Sequence, residues 1–137
     1  MEDTGTRAWY LTTTSITPDV TPDPDPNHAS TASGEACLEI LPDTRATHDD
    51  PLKAGTNFAA SGGVLCIVKY EVYFTNPGTY HVWVRAHSTG TEDNGVHVGI
   101  NNTWPSSGAR IQWCQGKRSW TWSDAQRTNA QHCGVPG

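Results

Sequence analysis

Hydrophobic and polar residues alternate most regularly along residues 64–100. Every second position is apolar over residues 64–74, and the same phase continues over 80–86 and 96–100. A period of two that is rich in β-branched and aromatic residues is typical of half-buried strands. Asn76-Pro77-Gly78 lies between the first two runs and favours a turn. The pattern predicts an antiparallel hairpin that leads into a third strand and buries one face, with Val68, Val72, Val82, Val84 and Val98 in the core.

The opposite face of the second run is polar and aromatic. Its alternate positions are His81, Trp83, Arg85 and His87. An indole, a guanidinium and two imidazoles in alternation are side chains suited to ligand recognition, so we interpret this face as a functional surface. The run ends before Asn94-Gly95, a strong turn signal, which predicts that Glu92 and Asp93 lie at an exposed loop tip.

Shorter runs predict further strands at residues 36–41, 109–114 and 119–122, and no segment has the length and period of a helix. The sequence therefore predicts an all-β fold, most simply an antiparallel β-sandwich. Residues 8–16 also have strand composition. Residues 17–33 are rich in Pro, Asp, Thr and Ser, which is typical of a semi-rigid linker or of a disordered leader. We expect an N-terminal segment over 1–33 and the sandwich domain over 34–137.

Composition excludes some partners. A chain of 137 residues predicts one domain with flanking sequence. Its formal net charge is −5, with only 9 Lys and Arg residues, which argues against a nucleic-acid partner. No stretch is long and apolar enough to span a membrane. Residues 1–16 lack the apolar core of a signal peptide, so we expect none in this chain.

The four cysteines, at positions 37, 66, 114 and 133, form no C-x-x-C pair, which argues against a zinc ribbon. Cys114 and Cys133 flank a turn-rich segment with few apolar residues, where a cross-link would stabilise most. We expect the bridge Cys114–Cys133 first and Cys37–Cys66 second, although four cysteines allow three pairings. Disulfides would place the protein in an oxidising compartment, extracellular or periplasmic.

Two groups of residues raise the question of a metal. His48-Asp49-Asp50 could hold a cation, but we favour a turn whose aspartates cap their own backbone. A zinc or catalytic set can also be drawn from His87, His97, Cys114, His132 and Cys133, but the spacings match no familiar pattern. We favour polar strand faces and a disulfide there, which leaves a small hydrolase or metal enzyme as a minority interpretation.

Four of the six tryptophans, at positions 104, 113, 120 and 122, fall close together. Sandwiches bury tryptophan routinely, so at least two should lie in the core. Trp104 differs because it precedes a proline in a turn, where burial is harder. A flat ring beside Asp, Asn and Arg is what carbohydrate recognition needs: the ring stacks on C–H faces and the polar groups bind hydroxyls.

Residues 76–87, NPGTYHVWVRAH, followed by Asp93-Asn94-Gly95 and VHVGI at 96–100, resemble the central strands of galactose-binding-like β-sandwiches. More narrowly, residues 34–134 are similar to carbohydrate-binding modules of polysaccharide-degrading enzymes. The resemblance implies a jelly-roll sandwich, often with a structural calcium ion, and ligand contacts from loops or a sheet face. Such modules have a final closing strand where this chain stops, so we expect a truncated copy.

These observations predict a non-catalytic carbohydrate-binding module for a polysaccharide or oligosaccharide. Its ligand-binding set would be Trp104, Asp93, Asn94, Arg85, His87 and His97. The alternative is a structural or protein-interaction β-sandwich that forms a homo-oligomer through an exposed sheet edge. Residues 8–16 would close that edge in their own subunit or swap into a neighbour, and either Trp9 with Leu11 or Tyr10 with Ile16 would face the core.

Overall fold

The fold is all-β, as predicted. The computed structural model describes residues 6–90, 94–106, 110–128 and 130–135, together with the backbone of residues 2–3. In these ranges the strands are β1 (Glu2–Asp3), β2 (Ala8–Thr13), β3 (Ala36–Leu41), β4 (Cys66–Ile67), β5 (Val84–His87), β6 (Gly95–Val96), β7 (Ile111–Gln112) and β8 (Trp120–Ser123). Two 3₁₀ turns, Ala29–Thr31 and Ser33–Glu35, precede β3.

The described strands associate as antiparallel pairs: β1 with β4, β2 with β3, β5 with β8 and β6 with β7. The strands predicted at 36–41 and 119–122 are present as β3 and β8. The strand predicted at 109–114 is present as the shorter β7, and residues 107–109 lie outside the described ranges.

The longest ladder joins β2 and β3 over six residue pairs, from Ala8 opposite Leu41 to Thr13 opposite Ala36. The strand-like N-terminal segment therefore pairs within its own chain. Its inward residue is Thr12, which is buried and donates from Oγ1 to Oε2 of Glu39 at 2.8 Å. Leu11 and Ile16 are both exposed, so neither of the two predicted pairs of side chains lies wholly in the core.

A group of buried residues lies where β6, β7 and β8 meet. Ile111 and Trp113 are buried there, with Ala29 and Leu41 buried elsewhere. The indole Nε1 of Trp113 donates to the carbonyl oxygen of Thr121 at 3.0 Å. Burying the polar end of an indole requires such a partner, so this bond fixes β8 against Trp113. The expectation that at least two of the four clustered tryptophans lie in the core is wrong, because Trp113 alone among them is buried. Trp104 and Trp120 are half-buried and Trp122 is exposed.

The predicted hairpin over residues 64–86 is wrong. Only β4 and β5 are strands in this region, and β5 pairs with β8 instead of with residues 64–74. Val72 is 65% exposed and Val82 is 50% exposed, while Val68, Val84 and Val98 are half-buried. A period of two shows which residues share a face but not which strand pairs with which. Residues 68–83, named the arm below, have no strand partner among the described residues.

Residues 17–33, interpreted above as a linker, pack along the domain. The side-chain amide of Asn27 donates to the carbonyl oxygen of Thr13 at 2.9 Å. The backbone N–H of Asp43 donates to the carbonyl oxygen of Pro22 at 2.7 Å. Ala29 is completely buried. Individual hydrogen bonds and one small apolar residue therefore hold this polar segment in place.

Cys114 and Cys133 form a disulfide, as predicted. The second expected bridge is not formed: Cys37 and Cys66 are not disulfide-bonded. A disulfide is typical of an oxidising environment. No helix in the described part of the chain is long and apolar enough to cross a membrane.

Candidate functional site

The β5–β8 ladder places four large side chains on one face. Arg85 lies opposite Trp122 and His87 lies opposite Trp120. Directly opposed residues of an antiparallel pair project to the same side, as do residues two apart on one strand. We call these four side chains the β5–β8 face. Trp122 is 58% exposed, whereas the other three are half-buried.

An open cavity of about 690 Å³ adjoins this face. Residues 25–31, 85–89 and 118–120 supply its walls, so three segments that are distant in sequence meet there. We call this cavity the pocket. Arg85 and His87, two of the residues interpreted from sequence as a functional surface, both line the pocket. The position of the pocket is therefore consistent with that interpretation.

Ring contacts organise the pocket wall. The imidazoles of His28 and His87 stack with their centroids 3.7 Å apart. The His87 ring meets Trp120 edge-on at 5.8 Å, and the guanidinium carbon of Arg85 lies 5.5 Å from the centroid of Trp120. Edge-on rings and a guanidinium over an indole are favourable arrangements. These contacts form one continuous cluster across the two strands and the N-terminal segment.

Hydrogen bonds hold the three segments together. The indole Nε1 of Trp120 donates to the carbonyl oxygen of His28 at 3.2 Å. Nη1 of Arg85 donates to the hydroxyl oxygen of Ser33 at 2.7 Å. Oγ1 of Thr89 donates to Oδ2 of Asp25 at 3.0 Å. The pocket is therefore pre-organised by bonds between its walls, which lowers the entropy lost when a ligand is ordered there.

One carboxylate, that of Asp25, lines the side of the pocket formed by the N-terminal segment, and it acts on the pKa of Glu39. Burial raises the pKa of the Glu39 carboxyl, and the carboxylates of Asp23 and Asp25 raise it further. The hydroxyl of Thr12 and the imidazole of His28 act in the opposite direction. The pKa of Glu39 thus depends on Asp25 and His28, which both line the pocket.

The predicted ligand-binding set is only partly assembled. Arg85 and His87 line the pocket, whereas Trp104, Asn94 and His97 do not, and Asp93 lies outside the described residues. Asn94 is 8% exposed. Its amide nitrogen donates to the carbonyl oxygen of Trp113 at 3.2 Å, and its Oδ1 accepts from Nε2 of Gln112 at 2.6 Å. Its polar atoms therefore hold β6 to β7. His97 is half-buried.

Trp104 packs against glycine backbone. A Cβ atom built on Gly63 would lie 2.7 Å from Cη2 of Trp104; one built on Gly62 would lie closer still, and one built on Gly99 would lie 3.1 Å from Cδ1 of the ring. Only glycine permits so close an approach of the ring to the main chain. Trp104 is consequently half-buried rather than free to act as an exposed platform.

The residues that sequence reasoning missed are Asp25, His28, Arg118, Trp120 and Trp122. The strand spacing of Trp120 and Trp122 shows that they share a face, but not that this face borders a pocket. Asp25 and His28 lie in the Pro- and Asp-rich segment, whose composition carries no signal of a binding site.

The residues described include no group of three or more His, Cys, Asp or Glu placed to hold a metal ion. At His48-Asp49-Asp50 the turn interpretation is confirmed. The backbone N–H of Thr47 donates to Oδ2 of Asp50 at 2.8 Å, which lowers the pKa of that carboxyl. Nη2 of Arg45 donates to the carbonyl oxygen of His48 at 2.6 Å.

Comparisons with known proteins give one informative relative. The chain is 53% identical over 133 residues to an uncharacterised protein, P23, of Formosa agariphila. The match covers 97% of this chain but 32% of that protein, so the chain spans about a third of the relative's length. No family model matches the chain, and no solved structure matches it.

Proposed function

We propose that this chain is a non-catalytic carbohydrate-binding module whose glycan site is the β5–β8 face with its adjoining pocket. The observation that carries the proposal is the register of Trp122, an exposed indole directly opposite Arg85. An exposed ring stacks on the C–H face of a sugar, and a neighbouring guanidinium donates to its hydroxyls or ring oxygen. The platform is therefore Trp122, in place of the Trp104 expected from sequence.

The pocket supports the proposal through its size and lining. Its volume lies within the range of about 300–1,000 Å³ that small-ligand sites occupy. Its lining combines one half-buried indole with imidazole, guanidinium, hydroxyl and carboxylate groups. A sugar needs this mixture because each ring has one apolar face and a rim of hydroxyls. The disulfide fits an extracellular or periplasmic module that meets polysaccharides outside the cytoplasm.

The test is affinity electrophoresis of Trp122→Ala through gels that contain a panel of polysaccharides. We expect the variant to lose roughly tenfold or more in affinity, since truncating a central aromatic anchor commonly costs about 2 kcal/mol. Its melting temperature should hardly change, because the ring is mostly exposed.

Tyr73→Ala is the matched control. Tyr73 is 89% exposed and lies on the arm, away from the residues that line the pocket, so its removal should leave glycan retardation unchanged. Equal retardation of Trp122→Ala and the unaltered chain, or no retardation of the latter by any polysaccharide, would contradict the proposal.

The arm favours a second candidate function, self-association through paired strands. Several of its large apolar side chains are exposed: Tyr70, Val72, Tyr73, Phe74, Tyr80, Val82 and Trp83. A segment with alternating apolar residues that forms no ladder with the rest of the described chain is a template for another strand.

Charge along the arm indicates how a second copy would pair. Antiparallel pairing of two copies about Tyr70 places Lys69 opposite Glu71 of the partner subunit. The same register places Val68 opposite Val72 of the partner subunit. Opposite charges and apolar pairs that face each other across strands both stabilise a sheet. The two-fold symmetry repeats each pair, as in an isologous dimer.

A charge-swap series tests this pairing by light scattering after size exclusion. Lys69→Glu should shift the chain from dimer to monomer, because it places like charges opposite each other twice. Adding Glu71→Lys to that variant should restore the dimer, since the pair is then reversed but again complementary. Monomeric unaltered chain at its highest soluble concentration would rule out the pairing, and so would a double variant as dissociated as the single one.

A further inference from the structure

We propose that the pocket binds the negatively charged substituent of an acidic glycan, a carboxylate or a sulfate ester, while the sugar ring stacks on Trp122. This inference rests on the proposed carbohydrate-binding function and adds the class of sugar. The evidence for the inference is the pair of guanidinium groups, of Arg85 and Arg118, that line the pocket.

Two guanidinium groups line the pocket, those of Arg85 and Arg118. Neither takes part in an ion pair with a described residue, whereas Arg7 is paired with Asp43 at 3.0 Å. Arg85 uses Nη1 to donate to Ser33, and a guanidinium has five N–H donors in a rigid fork. Most of its donors thus remain for a ligand.

The charge of the pocket differs from that of the whole molecule. The chain has a formal net charge of −5, yet two of its few cationic side chains converge here. The described lining contains one carboxylate, Asp25, whose Oδ2 already accepts from Thr89. Two guanidinium groups without an ion-pair partner favour an anionic ligand over a neutral one, because a neutral sugar gains little from their positive charge.

The geometry of Arg85 suits an oxyanion. Its guanidinium carbon lies 5.5 Å from the centroid of Trp120, and contact with the indole holds the planar group in place. A guanidinium fixed in this way can donate two parallel N–H bonds to a carboxylate or a sulfate.

The test uses affinity electrophoresis of the full chain at a fixed salt concentration. It compares the affinity of the chain for matched neutral and acidic polysaccharides. One pair is dextran and dextran sulfate, and the other is methyl-esterified and free polygalacturonate. We expect at least one acidic member to bind roughly tenfold tighter than its neutral counterpart, since hydrogen bonds to charged groups are about twice as strong as neutral ones. Whether sulfate or carboxylate binds identifies which of the two the pocket takes.

Arginine variants test whether the pocket causes the preference for acidic polysaccharides. Arg118→Gln should remove most of the preference for the acidic member, and the fold should be retained because Arg118 is exposed. Arg127→Gln is the matched control, because Arg127 is also exposed and does not line the pocket. Arg85→Lys keeps the charge but loses the fork, so it should weaken binding of the acidic member by a larger factor than binding of its neutral counterpart.

The outcomes separate this inference from the proposed function. Equal binding of neutral and acidic members, with sensitivity to Trp122→Ala, would overturn the acidic class and leave carbohydrate binding intact. No binding of any polysaccharide would overturn both. Binding of polyacrylate or a single-stranded oligonucleotide as tightly as of the acidic glycan would show unselective attraction of polyanions and would also overturn the inference.

Discussion

Glu39 shows how a single residue on β3 is linked to the pocket. Its carboxylate accepts a hydrogen bond from the buried Thr12 hydroxyl. Burial nevertheless dominates and raises its pKa, with further contributions from Asp23 and Asp25. A raised carboxyl pKa in the folded state means that the protonated form is favoured by folding. The stability from this group is fully present below the ordinary glutamate pKa of about 4.3 and is lost as pH rises through the folded value.

Replacing Glu39 with glutamine should therefore reduce the loss of unfolding free energy that occurs as the pH rises above about 4.3. The amide oxygen of Gln can still accept from Thr12, and the side chain remains neutral at every pH. We expect Glu39→Gln to be more stable than the unaltered chain at pH 7 and indistinguishable from it near pH 3.5. Urea midpoints measured across this range check the prediction. Parallel profiles for the two proteins would show that Glu39 is not the group responsible.

At the scale of elements, the C-terminal part of the chain depends on a covalent link. Ladder contacts there are sparse: Gln126 forms isolated bridges with Ile111 and Val135. The disulfide between Cys114 and Cys133 closes a loop with a sequence separation of 19. A cross-link over this length removes conformational entropy mainly from the unfolded chain.

Reduction of this disulfide should lower the free energy of unfolding by roughly 3 kcal/mol, as estimated from the loop length. Urea denaturation with and without a reducing agent measures the change. The double variant Cys114→Ser with Cys133→Ser is the control, because the reducing agent should no longer affect its midpoint. An unaltered chain whose midpoint is insensitive to reduction would contradict the expectation.

Elements with a strong local pattern were predictable from sequence. β3 and β8 lie where alternation and turn residues place them, and the Cys114–Cys133 bridge was predictable because few apolar residues lie between the two cysteines. Strand pairing was not predictable. The alternation of residues 80–86 fits a hairpin with residues 64–74 as well as it fits pairing with β8, and only long-range contacts, such as the bond from Trp113 to Thr121, distinguish them.

At the scale of the whole molecule, the candidate site was visible only in part. Arg85 and His87 were found because they alternate with apolar residues on one strand. The half-burial of Trp104 was not predictable because the ring packs on Gly62 and Gly63, which are far away in sequence and offer bare backbone rather than a recognisable pattern. His28 was missed because a Pro- and Asp-rich composition indicates poor burial, whereas its segment is held by a few specific hydrogen bonds.

The three-segment construction of the pocket has a thermodynamic consequence. Residues 25–31, 85–89 and 118–120 come together only in the native fold, so an unfolded chain offers a sugar no site. Any ligand that binds there stabilises the native state by mass action, by about 2.7 kcal/mol at a hundredfold excess over its dissociation constant. A bound ligand would then link the N-terminal segment reversibly to the β5–β8 ladder. The polysaccharide would thus protect the polar segment of residues 17–33 against proteases for as long as the module remains attached to it.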